Sequence, residues 1–405
     1  MPGRVSMLSA LILASACASA VQTPPAPVQP AFQLRERCDA AASLNGARPA
    51  SATGAYRLAS AAVTPPMPVP NMPPQRPDIL ALPEPVLGTT GDPRADSYRS
   101  QLLVSYATSQ GWRPYLVRLL AGVCANPSIL ADVQTPPASA RAAVDRYLTP
   151  DRIAHGQRLY REMQGRAQFQ GEAKVPVEVL LAMWAVTSEY GRSPPRHDML
   201  QAQLMRGAYN QLSYPEAFEI YDAARIILTP GVDRSAALAY GDGRIGQVRL
   251  LPSNYEQWAK DGDGDGRSDI WRSRADILKT FNDMMAGTWE PGVPVLVEIR
   301  PFRPDPDDPG QSRMMGALNS GQALRADLFR RVDGQPLPPS WSGVPITPFG
   351  PSGPTFLLTR NETPVNVMSP FRGKWEDWRG QELAVAVGLL ADAIAGRPAP
   401  TRPIR

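Results

Sequence analysis

The chain has 405 residues, 43% of them apolar, and a formal net charge of +4. This length and composition allow one large or two ordinary domains with apolar cores, and they exclude a chain that is disordered throughout. No basic run interleaves with aromatic residues, so the sequence carries no signature of nucleic acid binding.

The N-terminal stretch has the pattern of a secretory signal peptide. Residues 1–20, MPGRVSMLSALILASACASA, combine an early arginine, an apolar centre and small residues at the end. We expect cleavage after Ala20 and export to the periplasm. The letters ASAC leave lipid attachment at Cys17 as an alternative, which would make the protein an outer-membrane lipoprotein and give it its contact with a membrane.

Two further cysteines, Cys38 and Cys124, form an even number once Cys17 has left with the signal or carries lipid. In an oxidising compartment they can form a disulfide, and two buried free thiols are an equal alternative. With two histidines in the chain and no Cys-x-x-Cys pair, neither a zinc site nor a His-based triad is expected.

Residues 21–90 have the composition of a proline-rich tether. Nine prolines lie between residues 61 and 88, and such density favours extended, polyproline-like chain over regular helix. We therefore place the main domain at 91–396, with a flexible tail at 397–405.

Within that domain, eight segments carry apolar residues at a spacing of three to four, which predicts helices. They are SYRSQLLVSYATSQ (97–110), RPYLVRLLAGVCA (113–125), ARAAVDRYL (140–148), TPDRIAHGQRLYREM (149–163), VPVEVLLAMWAVTSEY (175–190), YPEAFEIYDAARIIL (214–228), SRADILKTFNDMMAG (273–287) and QELAVAVGLLADAIAG (381–396). Between residues 290 and 370, short β-like runs such as VPVLVEIRPF and PTFLLTR stand among glycine and proline. The sequence thus predicts a mostly α (α+β) fold with a small strand-bearing insertion.

Six segments in this order resemble the lytic murein transglycosylases of the membrane-bound B type, a family with a lysozyme-like fold. They are VPVEVLLAMWAVTSEYGR, GRIGQVRLLPSNY, DGDGDGRSDIW, NDMMAGTWEPGVP, GPTFLL and LAVAVGLLADAIAG. The first resembles the family's helix that ends in Glu-Ser-x-Phe/Tyr-Gly, and the second resembles its Gly-Ala-Met-Gly-Gln-x-Gln-Phe-Met-Pro-Ser segment. The resemblance spans residues 95–396.

The chemistry that this resemblance implies depends on one glutamic acid. That residue protonates the glycosidic oxygen between N-acetylmuramic acid and N-acetylglucosamine, then accepts the proton of the muramyl 6-hydroxyl as a 1,6-anhydro ring closes. It must act first as acid and then as base, which requires a carboxyl whose pKa an apolar pocket raises. In this chain Thr187 stands at the position of the catalytic Glu, and a threonine hydroxyl cannot fill that role at neutral pH.

Glu189, two residues later, is the fallback acid and base. At about 100° per residue its side chain would point roughly 200° away from that of Thr187 on a continuous helix. It would reach the cleft if the helix has already unwound there; otherwise it is a solvated residue near a helix end.

The family's cleft framework is partly kept. The resemblance implies that Ser188, Tyr190, Gly246, Gln247 and Tyr255 contact substrate. Arg244, however, stands where the family has Ala, and Arg249 stands where it has a second Gln. The cleft segment Arg-Tyr/Trp-Asn-x-Ser is replaced by GKWEDWRGQE (373–382), which lacks the Asn.

The two arginines suggest a binding role for the groove. Murein stem peptides carry carboxylates, which arginine binds in two-point geometry, so Arg244 and Arg249 could strengthen binding at the cost of cleavage. The alternative is that they face water or pair with Asp242 and Asp233.

The acidic loop DGDGDGRSDIW begins like an EF-hand calcium loop. Asp261, Asp263 and Asp265 alternate, glycine stands sixth, and the carbonyl of Arg267 is the seventh-position ligand. Position twelve is arginine rather than Glu, but the resemblance implies that Asp276 closes the site. The sequence therefore predicts a structural Ca²⁺.

Together these features predict an exported protein that binds murein glycan strands and is a pseudoenzyme because Thr187 replaces the catalytic Glu. The alternative is an active lytic transglycosylase that forms 1,6-anhydromuropeptides with Glu189 as relocated acid. A third hypothesis makes the proline-rich tether a docking segment for other cell-envelope proteins.

Overall fold

A computed structural model gives the fold. It describes residues 76–106, 111–135, 137–164, 174–209, 218–287, 289–290, 295–298, 324–325, 342–345, 355–360, 363–364 and 380–397. The predicted signal peptide, the lipid site at Cys17, Cys38, the tether before residue 76 and the tail after residue 397 lie outside these residues.

The described helices are numbered here in chain order. They are α1 Pro77–Leu80, α2 Pro93–Gln101, α3 Arg113–Leu120, α4 Ser128–Ala131, α5 Ala140–Tyr147, α6 Pro150–Gln164, α7 Val177–Ser188, α8 Met199–Ala208, α9 Glu219–Leu228, α10 Tyr255–Trp258, α11 Arg274–Ala286 and α12 Gly380–Ile394. A π-helical stretch, Leu102–Tyr106, continues α2, and a 3₁₀ turn, Pro252–Asn254, precedes α10. Each of the eight predicted helices overlaps one of these elements.

Side-chain caps fix where several helices begin. The carboxylate of Asp92 accepts hydrogen bonds from the backbone N–H groups of Arg94 and Ala95, with proline at the first turn of α2. Asp198 caps α8 in the same way. The hydroxyl of Ser273 accepts from the N–H of Asp276 at the start of α11. These local bonds satisfy donors that a helix start leaves open.

Helix α7 lies at the centre of the domain. Every residue from Val179 to Ser188 is buried, and the helix packs against α6, α11 and α12. A helix that is apolar on all sides is expected to lie in the core rather than at the surface. The candidate catalytic position therefore lies at a buried helix end.

Helix α8 and the four-residue helices α1, α4 and α10 were not predicted, and α1 lies in a region that was expected to be extended. Helix α8 does carry apolar residues at helical spacing, with Met199, Leu200, Leu204 and Met205 buried, so its pattern was overlooked rather than absent. In the predicted tether, Pro77–Leu80 forms a short helix, and Ile79 and Leu87 pack against the core. The guanidinium of Arg118, 8% exposed, donates to the carbonyls of Leu80 and Leu82. Burial of these groups outweighs the local preference of proline-rich chain for extension.

Strands occur in two places. A two-stranded antiparallel sheet pairs β1 His197–Asp198 with β2 Leu238–Ala239. A five-stranded antiparallel sheet is formed by β3 Leu296–Glu298, β4 Leu324–Arg325, β5 Ser342–Pro345, β6 Thr355–Arg360 and β7 Thr363–Pro364. Its order is β3-β6-β5-β4, with β7 paired to β6. The strand-bearing insertion predicted between residues 290 and 370 is therefore present.

Two further findings bear on the environment of the protein. Cys124 is disulfide-bonded, so the alternative of a free thiol at this position is wrong. Within the described ranges, no helix is long and apolar enough to cross a bilayer.

Candidate functional site: the end of helix α7 and the acidic loop

Helix α7 ends in an unusual turn. Glu189 and Tyr190 have φ angles of 54° and 58°, and Gly191 follows at 84°. Non-glycine residues rarely adopt this left-handed conformation. Tertiary contacts hold it in place, since the Tyr190 ring packs edge-on against Trp184 and its hydroxyl donates to the carbonyl of Arg152. The helix has therefore ended before Glu189.

Thr187 occupies the last turn of α7 and is 3% exposed. Its hydroxyl donates to the carbonyl of Met183 at 3.0 Å, a common way for a helical threonine to satisfy its own polar group. This bond leaves Thr187 as a satisfied interior residue. It supplies no group that could protonate a glycosidic oxygen.

Glu189 lies outside the helix and is held by an arginine. Its Oε1 accepts from Nη2 of Arg152 at 2.7 Å, and the Glu189 side chain is 47% exposed. Arg152 itself is nearly buried and also donates to the carbonyls of Arg146 and Tyr147. The carboxylate of Glu189 is thus half open to solvent, with one oxygen occupied by a guanidinium.

Gln247 connects the turn to the second cleft segment. Its Oε1 accepts from the indole N–H of Trp184 at 2.6 Å, and its Nε2 donates to the carbonyl of Trp271 at 2.7 Å. A Cβ at Gly191 would lie 2.7 Å from this Oε1, so glycine is required there. The hydroxyl of Ser188 accepts from the N–H of Gly191 and donates to the carbonyl of Trp184. The predicted residues Ser188, Tyr190 and Gln247 are thus brought together.

The other two predicted contact residues lie beside this network. Gly246 has a φ of 65°, and a Cβ there would lie 2.5 Å from the side chain of Ile270. The hydroxyl of Tyr255 donates to the carbonyl of Ser268, and its ring packs against Trp271 at 5.7 Å between centroids. Burial raises the pKa of Tyr255 to about 12. Both residues shape the segment that holds Gln247.

Arg249 forms an internal ion pair. It is 2% exposed, its Nη2 donates to Asp242 Oδ2 at 2.5 Å, and its guanidinium lies 4.0 Å from the centre of the Tyr240 ring. Arg244 approaches the same carboxylate at 3.8 Å. Burial alone would raise the pKa of Asp242, but the two guanidiniums outweigh it and hold that pKa below its ordinary value. Of the alternatives for these arginines, the structure contains the pairing with Asp242, whereas Asp233 accepts from Ser235.

A buried carboxyl that the sequence did not single out lies in the same region. Glu219, at the start of α9, accepts from both the N–H and the hydroxyl of Ser253. Burial raises its pKa to about 7, against the effect of these hydrogen bonds. The pairing of Glu219 with Ser253 depends on the fold, because no sequence spacing links two residues so far apart in the chain. The one weak signal in the sequence was a glutamate inside an apolar helix face.

The acidic loop brings three carboxylates together. One oxygen each from Asp261, Asp263 and Asp276 lies within 4.8 Å of the others. Asp276 is 1% exposed and accepts from the N–H groups of Gly262 and Asp269. Burial raises its pKa in spite of those bonds. Carboxylate oxygens are the donor type that a hard cation such as Ca²⁺ prefers.

The other two predicted ligands belong to the loop but not to that triad. The Oδ1 of Asp265 accepts from the N–H of Arg267 at 2.8 Å, so in this arrangement it supports the loop's own turn.

The segment 365–379, which contains most of GKWEDWRGQE, lies outside the described residues.

Comparisons with known proteins identify the family. A family profile described as "Transglycosylase SLT domain" matches residues 95–366. The profile covers more than half of the chain, so the protein belongs to the transglycosylase SLT domain family. The resemblance to lytic murein transglycosylases is thereby confirmed. A search of curated protein sequences finds no significant match.

Solved structures share the fold. SltB3 from Pseudomonas aeruginosa, in complex with NAG-anhNAM-pentapeptide, is 24% identical over 77% of this chain and 82% of its own, with a TM-score of 0.55. The lytic transglycosylase SltB1 from the same organism is 18% identical over 76% and 98%, with a TM-score of 0.57. Escherichia coli Slt35 in complex with calcium is 18% identical over 76% and 95%, with a TM-score of 0.54. The predicted mostly helical, lysozyme-like fold is confirmed.

Proposed function

We propose that this protein binds murein glycan strands in the periplasm and is a pseudoenzyme of the lytic transglycosylase family. The observation that carries the proposal is Thr187, a satisfied interior hydroxyl at the position of the catalytic Glu. The scaffold around it is kept, since Gln247 still joins the indole of Trp184 to the carbonyl of Trp271. SltB3, of the same fold, has been solved with NAG-NAM-pentapeptide, which supports murein as the ligand class.

An active enzyme with Glu189 as relocated acid is the second candidate. The observation in its favour is that α7 ends at Ser188, so Glu189 is not confined to the direction that a continuing helix would impose. Against it, one of the two carboxylate oxygens of Glu189 is held by the guanidinium of Arg152. Loss of general acid–base catalysis costs about 10²–10⁴-fold in rate, which leaves binding as the favoured function.

The deciding experiment is incubation of the exported chain, residues 21–405, with murein sacculi and calcium. Soluble products are identified by mass spectrometry, and co-sedimentation measures binding. Binding without 1,6-anhydromuropeptides supports the pseudoenzyme. Anhydromuropeptides that disappear in the Glu189→Gln variant would establish the active enzyme instead.

We also propose that the acidic loop holds a structural Ca²⁺. The triad of Asp261, Asp263 and Asp276 provides hard oxygen donors, and Slt35 has been solved with calcium. Asp265 and the carbonyl of Arg267 would complete the ligand set that the EF-hand pattern predicts. The ion's role would be to stabilise the loop that follows the Gln247 segment.

The periplasmic location rests on two observations. The N-terminal sequence has the signal-peptide pattern, and the disulfide at Cys124 fits an oxidising compartment. Lipid attachment at Cys17 remains the alternative form of export. Metabolic labelling with a fatty acid, compared between the natural chain and Cys17→Ala, distinguishes them.

A further inference from the structure

Two exposed arginines flank a histidine beside the turn at Glu189. Nη2 of Arg158 donates to Nδ1 of His155 at 2.9 Å, one turn along α6. Arg192 follows the turn, and its Nη1 donates to Asp151 Oδ2 at 2.7 Å. The His155 ring packs against Tyr190 with 4.9 Å between ring centres. Arg158 is therefore linked to the candidate site through His155, and Arg192 through its Nε, which donates to the carbonyl of Glu189.

The electrostatics of this surface favour an anion. Arg158 can only donate, so the Nδ1 of His155 accepts and the imidazole is neutral in this arrangement. Burial, then Arg158 and Arg192, lower the pKa of His155, and Asp151 opposes them. The nearby carboxylate of Glu189 is already paired with Arg152. At the His155 ring, the effect of the positive charges of Arg158 and Arg192 is therefore larger than the opposing effect of Asp151.

The pairing of Arg192 is easily exchanged for a ligand. Its side chain is 43% exposed and that of Asp151 is 72% exposed, and such exposed ion pairs contribute little because water competes for both charges. Arg158 is also exposed. Both guanidiniums can therefore turn towards a carboxylate in solution without loss of a buried contact.

We propose that Arg158 and Arg192 bind the carboxylates of murein stem peptides. This inference rests on the proposed function. It places the binding site for peptide carboxylates at Arg158 and Arg192 rather than at Arg244 and Arg249, which both pair with Asp242. The sugars of the glycan strand carry no charge of their own besides those of the muramyl substituents, so the peptide carboxylates are the complementary groups. The contact between His155 and Tyr190 would set the peptide beside the glycan at the turn.

The test compares two soluble ligands by isothermal titration calorimetry: a disaccharide–tetrapeptide muropeptide, and the peptide-free disaccharide whose lactyl carboxyl is capped as an amide, because a free lactyl group would itself be a carboxylate. The proteins are the natural chain, Arg158→Gln, Arg192→Gln and the double variant. Arg141→Gln is the matched control, because Arg141 is an exposed arginine of α5 paired with Asp145. We expect the double variant to lose at least about tenfold in affinity for the muropeptide and to be unchanged for the peptide-free disaccharide.

A second measurement is independent of affinity. In nuclear magnetic resonance titrations, the pKa of His155 should rise when the muropeptide is bound, because a carboxylate between the arginines favours the imidazolium. Equal muropeptide affinity of the natural chain and the double variant, or equal losses for both ligands, would overturn the inference while leaving murein binding intact. Failure of the natural chain to bind muropeptides and sacculi would overturn both proposals.

Discussion

The end of helix α7 and the acidic loop are the two parts of the fold where the family pattern predicts functional carboxylates, and they differ in how those positions are held. At the helix end, the proposed pseudoenzyme has Thr187 in place of the acid, and the hydroxyl bonds to its own helix. In the loop, the carboxylates of Asp261 and Asp276 each accept two backbone N–H groups. These aspartates therefore hold their loop together through the backbone, whereas the Thr187 side chain bonds only within its own helix.

The sharpest way to break this comparison is to restore the acid. In Thr187→Glu, burial at this position favours the protonated carboxyl that the first step needs. We expect release of anhydromuropeptides from sacculi to increase by about 10²–10⁴-fold over the natural chain. Thr187→Gln, similar in shape but without an acid, should release none. A folded Thr187→Glu protein that is as inactive as Thr187→Gln would mean that the helix end has lost more than its acid.

The next effect concerns Arg249 and its buried partner Asp242. In Arg249→Gln, Asp242 keeps a more distant arginine but loses its 2.5 Å partner. Removing one partner of a buried pair costs about 3–5 kcal/mol, so we expect a decrease of this size in the free energy of unfolding measured with urea.

The control for that experiment is Arg141→Gln, whose exposed pair should change stability by less than about 1 kcal/mol. The double variant Asp242→Asn/Arg249→Gln should recover part of the loss. If Arg249→Gln is as stable as the natural chain, the pair does not stabilise the segment.

A third prediction concerns pH. Glu219 has a pKa of about 7 in the folded protein against an ordinary 4.5, so the folded state binds this proton more tightly than the unfolded chain. Its contribution to stability is full below about pH 4.5 and is lost as the pH rises through about 7, a loss of about 3 kcal/mol. Relative to Glu219→Gln, the natural chain should lose this amount between pH 4.5 and 8 in urea unfolding.

Asp222, whose pKa burial raises to about 6, acts in the same direction. Asp222→Asn therefore separates the two contributions. A constant difference between the natural chain and Glu219→Gln across this range would show that folding does not raise the pKa of Glu219.

The smallest of these effects tests the acidic loop. Calcium at a hundred times its dissociation constant should stabilise the natural chain by about 2.7 kcal/mol, seen as a rise in Tm that a chelator reverses. Asp276→Asn should abolish the calcium-dependent rise. Asp283→Asn, on the same helix but paired with Lys279, is the matched control and should keep it. No calcium response in the natural chain would mean that the loop is held by its hydrogen bonds alone.

The sequence predicted the helices with a clear polar face and the segments that follow a family pattern. Helix α8 follows no family pattern and was overlooked, although its apolar residues also recur at helical spacing. At the site, the identity of Thr187 could be read directly from the motif. The fate of Glu189 could not, because the left-handed turn depends on packing of Tyr190 against Trp184, which lies beyond local preference.

Charged partners were predicted less well, for a related reason. Asp242 and Arg249 lie seven residues apart, and the antiparallel bridge between Ile245 and Leu250 brings them together. The sequence named this pair as an alternative but could not choose it over a solvent-facing arginine. Glu219 and Ser253 are joined across separate elements, and no spacing rule links them.

The contact of Arg118 with the carbonyls of Leu80 and Leu82 has a consequence for modularity. From composition alone, a foreign tether fused at residue 90 would be expected to leave the stability of the helical domain unchanged. Such a fusion would remove the Leu80 and Leu82 carbonyls that accept hydrogen bonds from the nearly buried guanidinium of Arg118. It would also expose the part of the core that Ile79 and Leu87 cover. A foreign tether should therefore be joined at or before Arg76, because the last part of the proline-rich region packs as part of the domain.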